Sequence, residues 1–225
     1  MDFFNFTFLV LAKARKILKR RESARKFSNR VLKQYLKHFS GNIINVSGWE
    51  DSDKENNLYK NYFGSIEKYV ISNIKGDHGM PKTKTLDSDL IYLDLEKPIA
   101  DNLRNQFDVV FSHTVIEHIY NTQIALGNLA ELSSDVIIIV VPFSQSVHYT
   151  NSYSDYVRLT PYYLNRFFEE KKFTTLLCCA NEQPFDNVYL IYIASKYPNR
   201  YQDFFKNAPL NFDIRIQPSI HEKYD

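Results

Sequence analysis

The residues most able to do chemistry form a polar cluster at the end of an apolar run. Ser112, His113, Glu117 and His118 lie at or just after the carboxyl end of the strand-like segment 107–112. Imidazole and carboxylate groups transfer protons, and a serine hydroxyl can donate and accept hydrogen bonds. Open α/β sheets bind their ligands in a crevice outside the carboxyl ends of the strands. The cluster therefore predicts a ligand site at this edge of a sheet.

A second polar segment follows further along the chain. It is rich in Ser, Tyr and Asn, contains His148, and ends with Asp155, Tyr156 and Arg158. A loop of more than about a dozen residues in a compact domain is usually functional. His148 and His113 are the two candidate general bases. Arg158 could hold a phosphate or carboxylate through two parallel hydrogen bonds, or it could form a salt bridge to Asp155 that holds the loop.

Alternating strands and helices must position these two segments. Thr160 and Pro161 predict the N-cap and first residue of a helix that ends near residue 170, and a helical pattern through Leu132 connects the two most apolar runs. The predicted strands are 42–46, 69–73, 90–93, 107–112, 136–143, 173–180 and 188–194, with a helical or turn segment over 57–66. The last two strands can pair as an antiparallel hairpin. This order predicts an α/β fold, a three-layer α/β/α sandwich.

The same segments carry a family resemblance. The run FDVVFSHTVIEHI (107–119), followed by Ala125, Leu126, Leu129 and a strand that ends at Pro142, resembles the fourth-strand region of class I S-adenosylmethionine-dependent methyltransferases of the type-11 group. The segment with His148 and Asp-Tyr-x-Arg-x-Thr resembles the stretch after their fifth strand. The resemblance covers about residues 42–194. It implies a Rossmann-like, seven-stranded, mostly parallel sheet with one antiparallel strand, and O-methyl transfer with S-adenosyl-L-methionine as cofactor.

The resemblance also implies a cofactor site made by the strand tips. Its residues would be Ser47, Gly48, Asn73, Asp94, Leu95, Ser112 and His113. Only Gly48 remains of the glycine cluster that the family carries after its first strand, and Asn45 stands at the position of an acid. Either Glu50 or Asp51 receives the cofactor ammonium, or these acids only cover an exposed loop. Asp77 is the alternative to Asn73 as the residue that binds the ribose.

On the acceptor side, the resemblance implies His148 or His113 as the base and Tyr156, Arg158 and Glu117 as substrate-binding residues. The expected acceptor is a small polar molecule, a sugar hydroxyl or a phosphate-bearing glycan precursor of the cell-surface polysaccharide type. The alternative is a non-catalytic protein that keeps the fold with a degenerate cofactor loop. The glycine fingerprint of dinucleotide-binding enzymes and the G-x-S-x-G elbow of hydrolases are both absent from the sequence.

Charge is distributed unevenly along the 225 residues. The chain has a net charge of +2, but residues 1–40 hold eleven Lys or Arg against two acids. Apolar residues recur every four positions from Phe27 to Phe39, which predicts one face of a helix. This helix either rests on an anionic membrane or covers one edge of the sheet with a solvated basic face. We therefore divide the chain into a basic amphipathic extension (1–40), a methyltransferase domain (41–196) and a tail that packs on it (197–225), and expect no nucleic-acid partner.

The sequence predicts neither a disulfide nor a metal site. Cys178 and Cys179 are the only cysteines, and neighbouring strand residues point to opposite faces of a sheet, so we expect both to be buried thiols in a reducing cytoplasm. Asp51, Asp53 and Glu55 lack the glycine and the final glutamate of a calcium loop. Peripheral membrane contact through residues 1–40 and the oligomeric state stay open.

Overall fold

The structure is a computed structural model that describes residues 22–75, 89–150, 153–181 and 188–214. The strands are β1 (Gly41–Val46), β2 (Ile66–Asn73), β3 (Asp89–Tyr92), β4 (Phe107–His113), β5 (Ser133–Ser144), β6 (Thr174–Ala180) and β7 (Val188–Ser195). The helices are α1 (Ala24–Tyr35), α2 (Thr122–Leu132), α3 (Pro161–Glu170) and the short α4 (Gln202–Phe205).

The seven strands form one sheet in the order β3-β2-β1-β4-β5-β7-β6. β7 runs antiparallel to both of its neighbours, and the other pairs are parallel. This confirms the predicted mostly parallel sheet with one reversed strand, and the predicted hairpin is β6–β7. The strand order changes direction between β1 and β4. In an open α/β sheet, such a switch point opens a crevice at the carboxyl ends of the strands.

Apolar cores on both faces of the sheet confirm the three-layer sandwich. On one face, Val110 and Ile139 pack with residues of α2 and α3 such as Leu129 and Phe168. On the other face, α1, the turn after it and α4 cover a core that contains Phe111. Because both faces are buried, β5 is a nearly continuous apolar run, as expected for a central strand of a parallel sheet.

Helix α1 lies on the sheet. The Ser23 side chain caps it by accepting a hydrogen bond from the backbone N–H of Lys26. Its apolar residues, among them Leu32 and Tyr35, are buried in the second core, whereas Lys26 and Arg30 are exposed. Residues 24–39 therefore cover one face of the sheet rather than one edge, with a basic side exposed to solvent. Membrane contact through the basic extension stays a prediction. The rest of the basic extension, residues 1–21, lies outside the described residues.

Several element bounds differ from the sequence prediction. The helix that ends at Leu132 begins only at Thr122, because residues 116–118 form a single 3-10 turn and the backbone is extended at Ile119. Within the segment 57–66, only Tyr59–Tyr62 is helical, as a 3-10 turn. β2 and β5 each begin three residues before the predicted start, and β3 lies one residue earlier than predicted. α3 begins at Pro161 with Thr160 as its N-cap, as predicted.

The tail after Ser195 packs on the domain as far as it is described. Phe205 of α4 is buried in the second core, and the backbone N–H of Asn211 donates to the carbonyl of Cys178. Both cysteines are buried thiols, and burial raises the pKa of the Cys178 thiol to about 12. Across the described part of the chain, each helix is too short or too polar to cross a membrane.

Candidate functional site

The loop after β1 has an unusual backbone. Ser47, Trp49 and Asp51 have φ angles of 53°, 49° and 58°, so every second residue is in the left-handed region. L-residues other than glycine adopt this conformation at a cost of about 1–2 kcal/mol each. Gly48 lies between them, and a Cβ atom there would come within 2.5 Å of the Asn45 Cγ. The loop thus has a shape that closely spaced glycines would favour, although three other residues form it.

A buried carboxylate fixes this shape. The Asp51 side chain accepts hydrogen bonds from Asn45 Nδ2 at 2.6 Å, the Tyr69 hydroxyl at 2.6 Å and the Lys60 backbone N–H at 2.9 Å. Asp51 is 1% exposed, and this burial raises its pKa, although the hydrogen bonds oppose the shift. Asp51 therefore neither covers an exposed loop nor presents a carboxylate to a cofactor ammonium. An acid at position 45 would face Asp51 directly, which explains the amide found there.

The tip of β2 holds the same loop from the other side. Ser72 accepts the backbone N–H of Ser47 through Oγ and that of Gly48 through its carbonyl, both at 3.1 Å. The Asn73 amide bonds to the backbone of Trp49 through both Oδ1 and Nδ2. Asn73 keeps one N–H and one lone pair for a ligand. The structure thus brings the predicted Ser47, Gly48 and Asn73 together, while Asp77 lies outside the described residues.

Asp94 and Leu95 follow β3 in a turn. Asp94 forms an ion pair with Lys97 at 2.9 Å and accepts the backbone N–H of Glu96 at 3.0 Å. The hydrogen bond from Lys97 lowers the pKa of Asp94. Leu95 is buried, and its carbonyl accepts from the Asn128 amide of α2 at 2.8 Å. Both residues therefore have fixed positions next to the β2 tip.

At the tip of β4, Ser112 and His113 have contrasting surroundings. Ser112 Oγ is buried, and no described residue bonds to it. His113 Nδ1 lies 3.0 Å from an Arg25 guanidinium nitrogen, and Nε2 lies 3.1 Å from Ser28 Oγ. Arg25 can only donate, and the Ser28 hydroxyl donates to the Arg25 carbonyl, so Nδ1 accepts and the proton is on Nε2.

His113 is therefore a neutral imidazole whose basic nitrogen is occupied by Arg25. Burial and the guanidinium lower its pKa well below the usual value. Arg25 was not predicted from the sequence, although a signal was present. Arg25, Ser28, Asn29 and Leu32 have the spacing of one helix face, and a polar stripe beside a buried leucine indicates polar partners on the sheet.

Arg158 is engaged within its own loop. Its two terminal nitrogens donate to the two carboxylate oxygens of Asp155 and also to the carbonyls of Val157 and Gln145. The hydrogen bonds from Arg158 to the Asp155 carboxylate lower the pKa of Asp155 to about 2. Of the two predicted roles, the structure shows the salt bridge that holds the loop, and it leaves no free guanidinium fork for a phosphate. Tyr156, by contrast, is exposed, with its ring edge against Tyr120.

The remaining predicted residues meet where this loop contacts the β4 tip. Glu117 is 2% exposed, and neither carboxylate oxygen has a hydrogen-bond partner in the described part of the chain. Burial raises its pKa to about 8, although the Arg158 cation opposes the shift. His118 Nε2 lies 3.7 Å from Glu117 Oε1, and the His118 and His148 rings are 4.9 Å apart. The structure thus brings Glu117, His118 and His148 together, and the contacts of His113 lie in a separate cluster.

Comparison with known proteins identifies the fold. No protein-family profile matches the chain, and no curated protein matches its sequence. Among solved structures, it is similar to the 1,6-didemethyltoxoflavin-N1-methyltransferase of Burkholderia thailandensis, with bound 1,6-didemethyltoxoflavin and S-adenosylhomocysteine, at a TM-score of 0.54 and 12% identity over 86% of this chain and 87% of that one. The magnesium protoporphyrin IX methyltransferase of Synechocystis PCC 6803, also with bound S-adenosylhomocysteine, is similar at a TM-score of 0.53 and 11% identity. The match covers 76% of this chain and 83% of that one.

A third similar structure is an S-adenosylmethionine-dependent methyltransferase of Mesorhizobium loti, at a TM-score of 0.53 and 9% identity over 77% of this chain and 98% of that one. At these identities the likeness is one of fold. The chain therefore has the fold of class I S-adenosylmethionine-dependent methyltransferases, as predicted. The type-11 assignment stays a prediction, and so do the roles given to individual site residues.

Proposed function

We propose that the protein is an S-adenosylmethionine-dependent methyltransferase. The observation that carries this proposal is the β1 loop, which lies at the switch point of the sheet and is left-handed at alternate residues 47, 49 and 51. In the resembling methyltransferases, closely spaced glycines bring the backbone against the cofactor at this position. Here the backbone is left-handed at three positions although the glycines are absent, and the Asn45–Asp51 hydrogen bond holds it.

One observation at this edge fits the cofactor: the Ser112 hydroxyl is buried without a described partner. Ser47 and Gly48 would hold the methionyl part, and Ser112 would lie near the sulfonium. The adenosyl part would contact Asn73, Asp94 and Leu95. When bound, the cofactor supplies a methyl group on a positively charged sulfur, which is already a good leaving group, so the protein has to place the acceptor and remove its proton.

The acceptor that we propose is a small polar molecule with a hydroxyl group, such as a sugar, and the transfer is to oxygen. Exposed tyrosines at positions 149, 153 and 156 lie in the loop between β5 and α3, here called the acceptor loop, and Tyr120 packs against it. They offer flat surfaces with polar tips. A hydroxyl must lose its proton during transfer. Because Arg25 occupies the basic nitrogen of His113, we assign proton removal to the cluster of Glu117, His118 and His148. We do not extend the proposal to phosphate, since Arg158 is paired with Asp155.

A second candidate is a non-catalytic protein with the same fold. The observation that favours it is that three consecutive loop N–H groups, those of residues 47–49, all donate to β2. These N–H groups cannot also donate to a ligand. The position of the ribose-binding acid is taken by Asn73, whose amide bonds to the loop.

Cofactor binding separates the two candidates. Trp49 is the only tryptophan of the chain and lies in the β1 loop, so its fluorescence reports on this site. We expect S-adenosylhomocysteine to release or absorb heat in isothermal titration and to change the Trp49 emission over the same concentration range. The matched variant Trp49→Phe should keep the heat and lose the emission signal. A wild-type protein that gives no heat with S-adenosylmethionine or S-adenosylhomocysteine would rule out the enzyme and support the non-catalytic candidate.

A further inference from the structure

Three potential metal ligands converge beside the acceptor loop. One donor atom each from Glu117, His118 and His148 lies within 4.8 Å of the other two. Two of the residues lie in the turn after β4 and the third in the loop after β5, and a hydrogen bond between His118 and Ser154 spans the 36 residues between these segments. This proximity arises only from the fold, so the sequence did not predict a metal site.

The carboxylate of Glu117 is the least satisfied group in this cluster. It is 98% buried, yet neither oxygen accepts a hydrogen bond from any described residue. A buried polar group without a partner costs free energy, so such groups are rare and indicate a missing partner. The charge of Arg158 acts on Glu117. Its terminal nitrogens, however, already donate to Asp155 and to two carbonyls. Both Glu117 oxygens therefore keep their lone pairs for a ligand such as a metal ion.

His118 is held in the manner of a metal ligand. His118 Nδ1 lies 2.8 Å from the Ser154 carbonyl, which can only accept, so the proton is on Nδ1 and the lone pair of Nε2 is directed elsewhere. That Nε2 atom is the one 3.7 Å from Glu117 Oε1. His148 Nδ1 lies 3.0 Å from the Asp155 carboxylate, but the two groups are not aligned for a hydrogen bond, and Nδ1 is buried without a described partner. Metal-binding histidines usually contact a carbonyl or carboxylate through their other ring nitrogen, which fixes the ring and its tautomer.

We propose that Glu117, His118 and His148 bind a divalent transition-metal ion of the zinc type. Two imidazoles and one carboxylate suit Zn²⁺, Co²⁺ or Fe²⁺ and disfavour Mg²⁺, which prefers oxygen ligands. Three protein ligands leave at least one coordination position for water or substrate. The histidine side chains are 17% and 33% exposed, so an ion and a small molecule can reach the site from solvent.

The role of this ion in methyl transfer rests on the proposed function. Bound to the ion, an acceptor hydroxyl would release its proton to solvent water more easily, because the positive charge stabilises the alkoxide. The three side chains would then act on the proton through the ion, since their lone pairs would bind it. The acceptor would then be a molecule that offers an oxygen ligand, such as a hydroxyl beside a second oxygen. The metal site itself does not depend on that reaction and can be tested without it.

The test is metal binding by the full-length protein after removal of metals with a chelator. We expect one Zn²⁺ per chain in isothermal titration, visible absorption bands when Co²⁺ is used as the probe, and no binding of Mg²⁺. Glu117→Gln, His118→Ala and His148→Ala should each weaken Zn²⁺ binding by at least tenfold. His38→Ala is the matched control, because His38 stacks on Phe204 away from this cluster and should bind Zn²⁺ as the wild type does.

Two further measurements keep the result unambiguous. Thermal unfolding of the wild type with and without Zn²⁺ should show a rise in Tm, so the inference does not depend on variants that fold poorly. S-adenosylhomocysteine binding is measured on the same samples, so that a loss of cofactor binding with intact Zn²⁺ binding contradicts only the proposed function. Absence of stoichiometric Zn²⁺ binding to the wild type, or equal affinity in the Glu117→Gln and His38→Ala variants, would overturn the metal site.

Discussion

The contact between Asn45 and Asp51 gives the sharpest test of how the β1 loop is held. The variant Asn45→Asp restores the acid that the methyltransferase resemblance expects, but it places a second carboxyl group at the 2.6 Å contact with Asp51. Two carboxylates at this distance cannot both be ionised, so one of them keeps its proton and the pKa of the pair rises. The variant should therefore be less stable than the wild type, and increasingly so at higher pH.

The loss of stability is limited to the free energy needed to keep one of the two carboxyl groups protonated. Keeping one Asp protonated at pH 7 costs about 4 kcal/mol, because its ordinary pKa is about 3.9 and each unit corresponds to about 1.4 kcal/mol. At pH 5 the same cost is about 1.5 kcal/mol. The folded-state pKa lies above that of the unfolded chain, so stability is retained below pH 4 and is lost as the pH rises through the folded-state value.

Urea denaturation of the wild type and the variant at pH 5 and pH 7 measures this difference. The exchanged variant, Asn45→Asp with Asp51→Asn, carries one carboxylate and one amide again. It should regain stability to within about 2 kcal/mol of the wild type, the remainder reflecting the less suitable acceptor for Tyr69 and Lys60. Equal losses at the two pH values, or no recovery in the exchanged variant, would refute the direct contact between the two side chains.

Three further predictions concern other parts of the chain. Gly48→Ala should destabilise the protein by about 1–3 kcal/mol, because the added Cβ has no room. Gly127→Ala should stabilise it by about 0.5–1 kcal/mol, because Gly127 lies inside α2 with open space around it. Urea denaturation of both variants measures these changes. The Cys178 thiol should react with a thiol reagent only after unfolding, because it is fully buried. Rapid labelling of Cys178 in the native protein would contradict this. Arg158→Met should cost about 2–3 kcal/mol at pH 7, and less as the pH falls toward 2 and Asp155 takes up a proton; a loss that does not change with pH would exclude the ion pair as its cause.

The fold could be predicted from the sequence because its signals are local. The apolar run of β5, the Thr160–Pro161 start of α3 and the hairpin of the last two strands each depend on neighbouring residues. Element bounds were less accurate where tertiary contacts decide them. The turn at residues 116–118 ends early, and the backbone N–H of Tyr156 donates to the carbonyl of Glu117 within it.

The site could be predicted only in part. Residues 47, 49 and 51 have a left-handed backbone although none of them is glycine. The residue types in the loop therefore gave no indication of its backbone conformation. Arg25 contacts His113 across 88 residues of sequence, and the Glu117 cluster depends on a loop that returns to β4. Such contacts are set by the packing of distant elements, and no spacing rule encodes them.

The position of α1 decides how the basic amino-terminal arm can be studied. Removal of residues 1–40 would remove Leu32, Leu36 and Phe39 from the sheet and Arg25 from His113. The shortened polypeptide would then expose apolar surface, and it would aggregate or bind to vesicles for that reason alone. Liposome sedimentation is informative only with a deletion that stops before Ser23, or with replacement of outward lysines such as Lys26 by glutamine. Shortened versions made for expression should likewise begin before this helix, because α1 is part of the folded domain.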